Sequence, residues 1–174
     1  MATLDDQFCM QEALKQAQLS LDRGDFPVGC VISDGNTIIA KGARSGTSNG
    51  DWNEIDHAEV VALRQLSEKT ENRDLNFTKL SIYSTLEPCL MCLGAILINQ
   101  IGRVVYAYED AMGGGTKIRL KDMAPLYRNH KIKIVPYVLR RKSLALLQQF
   151  FQNPNNNYWT NSLLSTYTLK QTIS

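Results

Sequence analysis

An α/β domain is the fold class the sequence predicts, and three observations predict it. Residues 4–22 place Leu4, Phe8, Leu14, Ala17 and Leu21 at helix-like spacing. Two apolar segments, 26–32 and 37–43, flank Ser33-Asp34-Gly35-Asn36, whose turn chemistry makes them a hairpin. Further on, a strand-like run at 80–85, an apolar stretch at 89–99 and a strand-like run at 103–108 follow one another. That is the order of a βαβ unit, so those two strands are expected to run parallel.

The elements follow in order. Arg23-Gly24-Asp25 ends the first helix, and Cys30 is expected in the core as a small hydrophobe. Residues 44–56 form a polar, Gly-containing loop that leads into a second helix over 57–69. Asp56 is its expected N-cap, with Val60, Val61, Leu63 and Leu66 inward. Residues 70–79 are a polar connection. The helix over 89–99 is nearly all apolar, which predicts burial on most sides, by the sheet or by a subunit. Residues 109–116 carry three glycines and read as a flexible turn in preference to a phosphate cradle. A short helical piece, a fifth strand over 131–139 and a helix over 143–151 come next. The polar break 152–157 precedes a last amphipathic helix, 158–169, whose Tyr158, Trp159, Leu163, Leu164 and Tyr167 either pack on the domain or close a pocket. The expected organisation is a core at 1–151 with a helical extension, 152–174, packed on it.

At 174 residues the chain suits one domain with a substantial core, and 44% hydrophobic residues exclude wholesale disorder. No apolar run approaches the roughly 20 residues a bilayer span needs, so no membrane association is expected. The N-terminal MATLDDQF lacks a signal-peptide pattern. Four cysteines without framework spacing indicate a reducing compartment, the cytoplasm. The net charge of +2 is unevenly spread. Residues 1–115 hold nine Lys/Arg against sixteen Asp/Glu, whereas 116–142 hold nine Lys/Arg against Asp122 alone. Such a basic block is either a phosphate-binding face or a solvated surface.

Two stretches carry the chemistry. His57-Ala58-Glu59 and Pro88-Cys89-Leu90-Met91-Cys92 together read H-x-E … P-C-x-x-C, the pattern of zinc-dependent nucleobase deaminases. Pro88 suits the first turn of a helix. Cys89 and Cys92 then share one face at a helix N-terminus, where the dipole favours thiolates. His57 and Glu59 would diverge by about 200° within a helix body, so they share a site only off its end. The ligands His57, Cys89 and Cys92 leave a fourth tetrahedral position open, as a catalytic zinc requires, with one ion per chain. Glu59 is then free to move protons. A structural zinc would want a fourth Cys or His, yet Cys9 and Cys30 are isolated and His130 reads as a surface residue. A non-catalytic scaffold would have no need of Glu59. In the loop before His57, Asn49 and Asn53 offer amides to a hydroxyl or base edge and Trp52 an indole for stacking. The alternative is an ordinary loop with Trp52 against the core. Val28, Asp110 and Trp159 complete the candidate substrate contacts.

The stretches FPVGCVI (26–32), DHAEVVALRQ (56–65), TLEPCLMCLGAI (85–96) and IGRVVYAYED (101–110) resemble the cytidine/deoxycytidylate deaminase superfamily. Within it, order and spacing over residues 4–151 are most similar to the bacterial tRNA adenosine deaminases. The resemblance implies a three-layer α/β/α sandwich with a five-stranded mixed sheet. It implies zinc on His57, Cys89 and Cys92, Glu59 as proton shuttle, and a homodimer with pockets near the subunit interface. Three departures stand out. Gly46 lies where the tRNA enzymes usually carry a Trp-Asn pair, and residues 110–116 differ from their D-x-K-x-G-A-x-G-S stretch. The chain also continues through a neutral, aromatic-bearing tail where theirs usually ends basic. The expected activity is hydrolytic deamination. The substrate is either adenosine in tRNA, held through the 116–142 block, or a free base or nucleoside such as guanine, adenine or cytosine.

Overall fold

A computed structural model of the chain describes residues 3–48, 52–68 and 75–172. Helix α1 (Leu4–Asp22) leads to the hairpin β1 (Gly29–Asp34) and β2 (Thr37–Ala43), then to α2 (Ala58–Glu68). Strand β3 (Ser81–Leu86), α3 (Leu90–Ile98) and β4 (Arg103–Tyr108) form the βαβ unit. A short α4 (Pro125–Arg128), β5 (Lys133–Val135), α5 (Arg140–Gln152) and α6 (Leu163–Lys170) complete the order.

The strands lie in the order β2-β1-β3-β4-β5. Strand β1 pairs antiparallel with β2 and with β3, while β3–β4 and β4–β5 are parallel, so the sheet is mixed. Successive side chains point to opposite faces of a strand. Cys30 and Ile32 of β1 accordingly join one core with Ala58, Ala62 and Leu66 of α2, and Val31 joins the other with Cys9, Met10 and Ala13 of α1. Helix α1 covers one face of the sheet and α2 the other, giving the helix–sheet–helix sandwich.

Several local expectations need correction. Strand β1 begins at Gly29 because Pro27 offers no N–H, and the Val28 N–H turns back to the Phe26 carbonyl at 2.8 Å. On α1 the buried face runs through Cys9, Met10, Ala13, Leu14 and Ala17, while Leu4 is 84% exposed and Phe8 is exposed as well. On α2 the inward residues are Ala58, Glu59, Ala62, Leu63 and Leu66, with Val60 and Val61 only half-buried. Helix α3 buries one face through Cys92, Leu93, Ile96 and Leu97, and leaves Leu90, Met91 and Ile98 exposed. Strand β5 is three residues, not nine. Residues 158–161 form turns, with Trp159 and Asn161 at positive φ, and the last helix starts only after the cap Ser162.

The start of α1 is tied to the sheet through Asp6. Thr3 and Asp6 form a capping box, and the Asp6 carboxylate is buried. It accepts from Arg103 Nη1 and Nη2 at 2.6 and 2.8 Å and from the Tyr83 hydroxyl at 2.9 Å. Burial alone would raise this carboxyl; the hydrogen bonds from Arg103, the Thr3 N–H and Tyr83 outweigh it and bring it from 3.8 to about 2. The sign follows from linkage: a depressed carboxyl contributes stability that is full above its unfolded value and is lost as pH falls through the folded one. The contribution is about 2.5 kcal/mol, and it disappears between 3.8 and about 2. Unfolding free energies at pH 5 and pH 2 are expected to differ by about 2 kcal/mol less for Asp6→Asn than for the native chain. Equal differences would remove Asp6 as the cause.

Candidate active site

Open α/β sheets bind ligands beyond the carboxyl ends of their parallel strands. Here β3 runs into Glu87-Pro88-Cys89 and β4 into Glu109-Asp110. Cys89 is the N-cap of α3, and its carbonyl accepts from the Leu93 N–H at 2.8 Å, so Pro88 lies just outside the helix and not in its first turn. His57 immediately precedes α2, and its carbonyl accepts from the Val61 N–H at 2.9 Å. Asp56 is therefore not the N-cap; its carboxylate accepts from Arg64 at 2.9 Å and from Asn53 at 2.8 Å. The two helix N-termini converge, with His57 off the end of α2 and Glu59 in its first turn.

His57 Nδ1 lies 3.7 Å from Cys89 Sγ and 3.4 Å from Cys92 Sγ. Tetrahedral zinc, with bonds of about 2.3 Å to sulfur and about 2.05 Å to nitrogen, separates such atoms by about 3.55 Å. Both sulfur–nitrogen distances are thus close to what zinc needs, and all three ligand atoms lie within 4.8 Å of one another. Of the two cysteines, Cys89 has thiolate character. A hydrogen bond from Cys92 holds Cys89 down at about 4, with burial opposing and His57 assisting. The same bond pushes the Cys92 thiol up. Burial works against the His57 imidazolium, but Cys89 and Glu59 outweigh it and raise the ring's value. Glu59 is buried, which raises its carboxyl. Its Oε1 accepts from Ser84 Oγ at 2.9 Å and its Oε2 from Cys92 Sγ at 3.5 Å.

Beside this cluster lies a cavity of about 60 Å³, several times the space one water needs. Of the residues singled out in the sequence, Val28, His57, Glu59, Cys89, Asp110 and Trp159 wall it. Trp52 does not: it is 64% exposed, and its ring leans on Tyr158 with centroids 6.2 Å apart. Asn53 does not either. Its side chain is spent inside its own loop, accepting from the Ile55 and Asp56 N–H groups and donating to Asp56. Asn49 lies outside the described residues. The wall also includes Phe26, Arg44, Glu87 and Tyr158, which the sequence did not single out as substrate contacts. Glu87 could have been found from its place two residues before Cys89. Nothing in the sequence marks Arg44, because an arginine's burial depends on distant packing. Residues 110–116 form a turn, as expected, and it is tied down. Asp110 Oδ1 accepts from the Met112 and Gly113 N–H groups, and Glu87 accepts from the Asp110 and Thr116 N–H groups and the Thr116 hydroxyl.

Three residues placed to hold zinc at two helix N-termini, with a buried carboxylate beside them at the carboxyl ends of the parallel strands, are the arrangement of a zinc-dependent hydrolytic deaminase. The chain belongs to the cytidine and deoxycytidylate deaminase family, whose zinc-binding region matches residues 3–108. The tRNA-specific adenosine deaminase of Streptococcus pyogenes (serotype M18) is 32% identical over 151 residues, covering 86% of this chain and 92% of that one. That of Buchnera aphidicola subsp. Schizaphis graminum is 33% identical over 150 residues, covering 85% and 95%. A solved deaminase from work on A-to-I editing at the wobble position of transfer RNA superposes with TM-score 0.65 at 26% identity, over 80% of this chain and 99% of that one. A guanine deaminase from Nitrosomonas europaea shares the fold, with TM-score 0.64 at 19% identity over 86% and 85%. Among the described residues no helix is long and apolar enough to cross a membrane.

Proposed function

We propose that the chain removes the exocyclic amine of a nucleobase by hydrolysis, and that its substrate is adenosine in tRNA, converted to inosine. The observation that carries the chemistry is the S–N spacing around His57, which matches tetrahedral zinc with a carboxylate at its side. Zinc bound there supplies Lewis-acid activation of water near neutral pH. His57, Cys89 and Cys92 would hold it. Glu59, steadied by Ser84, takes a proton from the attacking water and delivers it to the ring nitrogen. It then takes the remaining proton from the added hydroxyl and passes it to the departing amine, so that water and aminated base become the oxo base and ammonia. Phe26, Val28 and Leu86 give the ring an apolar wall that excludes bulk water. His57→Ala and Cys89→Ala are each expected to emerge from gel filtration without zinc, where the native chain carries one ion. Full occupancy in either variant would remove that residue from the ligand set.

The tRNA reading is supported by the names of relatives that align over most of this chain, and by the basic block. Lys117, Arg119, Lys121, Arg128, Lys131, Lys133, Arg141 and Lys142 are exposed. The exposed apolar side chains of α3 support a homodimer, and the four free cysteines support a cytoplasmic setting. A second reading, a free base or nucleoside, is favoured by the tail: Tyr158 and Trp159 stack with ring centroids 5.1 Å apart and wall the cavity. Ammonia release from zinc-loaded protein separates the two, using an anticodon-type RNA hairpin, free nucleosides and free bases. Turnover confined to the hairpin, with affinity falling steeply as salt rises, is the expected result. Salt-independent turnover of a small molecule would replace the tRNA reading with the second.

A further inference from the structure

Arg44 directly follows β2, with only 2% of its surface exposed, on the wall of the cavity. Its Nη2 donates to Glu54 Oε2 at 3.0 Å and to the Tyr158 hydroxyl oxygen at 3.4 Å. The Tyr158 hydroxyl donates in turn to Glu54 Oε2 at 3.0 Å. The other arm differs: Nη1 is buried and has no hydrogen-bond partner among the described residues. A buried guanidinium N–H left unmet carries the full cost of its desolvation, and folded proteins rarely keep one without a use. The acids on the same wall are otherwise engaged, Glu59 by Ser84, Glu87 by Thr116 and Asp110 by its own turn.

We propose that Arg44 is the specificity-determining residue of this pocket, its Nη1 donating to a neutral hydrogen-bond acceptor on the substrate ring. The inference rests on the deaminase reading and names what that site selects. Glu54 already balances the guanidinium charge, so the pocket does not call for a phosphate. A purine with its amine and N1 turned toward the zinc ligands and Glu59 has two ring acceptors left, N3 and N7. One of them meets Arg44. Tyr158 fixes the guanidinium through Nη2 and Glu54, so the tail sets the direction in which Nη1 points.

The test uses adenosine, 3-deazaadenosine and 7-deazaadenosine, each as the free nucleoside and at the target position of an RNA hairpin. Affinities are read on zinc-loaded Glu59→Gln protein, where complexes do not turn over. One deaza replacement is expected to weaken binding about 10- to 100-fold. Adding Arg44→Met is expected to weaken adenosine by a similar factor and to erase the difference between adenosine and the sensitive analogue. A variant that still discriminates overturns the proposal. So does equal binding of all three probes by protein with Arg44 intact, a result that needs no Arg44 variant to fold. Failure of every purine probe to bind also overturns it, while ammonia release from some other aminated base would leave the deaminase reading standing. No ammonia from any aminated base would defeat that reading itself.

Discussion

Glu59→Gln protein is expected to hold one zinc ion per chain and to release ammonia at least about 10⁴-fold more slowly than the native chain. Positioned proton transfer is typically worth about 10²- to 10⁴-fold, and here one carboxylate serves both the attack and the departure. The pocket offers no replacement. The Glu87 carboxylate is taken up by the Asp110 and Thr116 N–H groups and the Thr116 hydroxyl, and Asp110 Oδ1 by two N–H groups of its own turn. Zinc retention follows because His57, Cys89 and Cys92 supply three ligands without Glu59. Metal analysis beside an ammonia assay separates the outcomes. Turnover near the native rate would end the proton-shuttle assignment, and loss of zinc would make Glu59 a ligand.

The second large effect is structural. A Cβ at Gly42 would lie 2.0 Å from the Ala58 carbonyl oxygen and 2.7 Å from the Ala62 nitrogen, both backbone atoms of α2. Backbone cannot rotate aside, so Gly42→Ala drives α2 off the sheet, at a cost of about 3 kcal/mol or more. His57 and Glu59 ride on the start of that helix, so zinc affinity is expected to fall with stability. Gly29→Ala is the comparison: its Cβ would strike the Ala13 oxygen and Ala17 nitrogen of α1, at 2.1 and 2.3 Å. It is expected to cost as much in urea midpoint while leaving zinc affinity near native. Equal zinc losses in both variants would mean that general loosening, and not displacement of α2, governs the metal centre.

These two glycines also show why some of the fold was legible and some was not. Elements written by period were legible: α1 over 4–22, β2 over 37–43 and β4 over 103–108 stand where apolar spacing and turn residues put them. The zinc cluster was legible because helix starts fix the directions of His57, Cys89 and Cys92 locally. What packing decides was hidden. Close approach at Gly42 selects Ala62 over Val60 and Val61 as the buried residues of α2. Positive φ at Trp159 and Asn161 breaks the amphipathic run that suggested a helix from 158. Arg44, Glu54 and Tyr158 meet across 114 positions of sequence, a span no local pattern can report.

The chain keeps its reaction and its choosiness in different places. The proposed zinc ligands and the proposed proton shuttle fall within residues 57–92, at the starts of α2 and α3. The wall that faces an incoming molecule is finished by Arg44 and by two aromatics from a turn behind α5. Tyr158 and Leu164 of that tail are buried in the same core as Ala58 and Ala62 of α2, so the segment that finishes the wall also helps to hold the helix that carries Glu59.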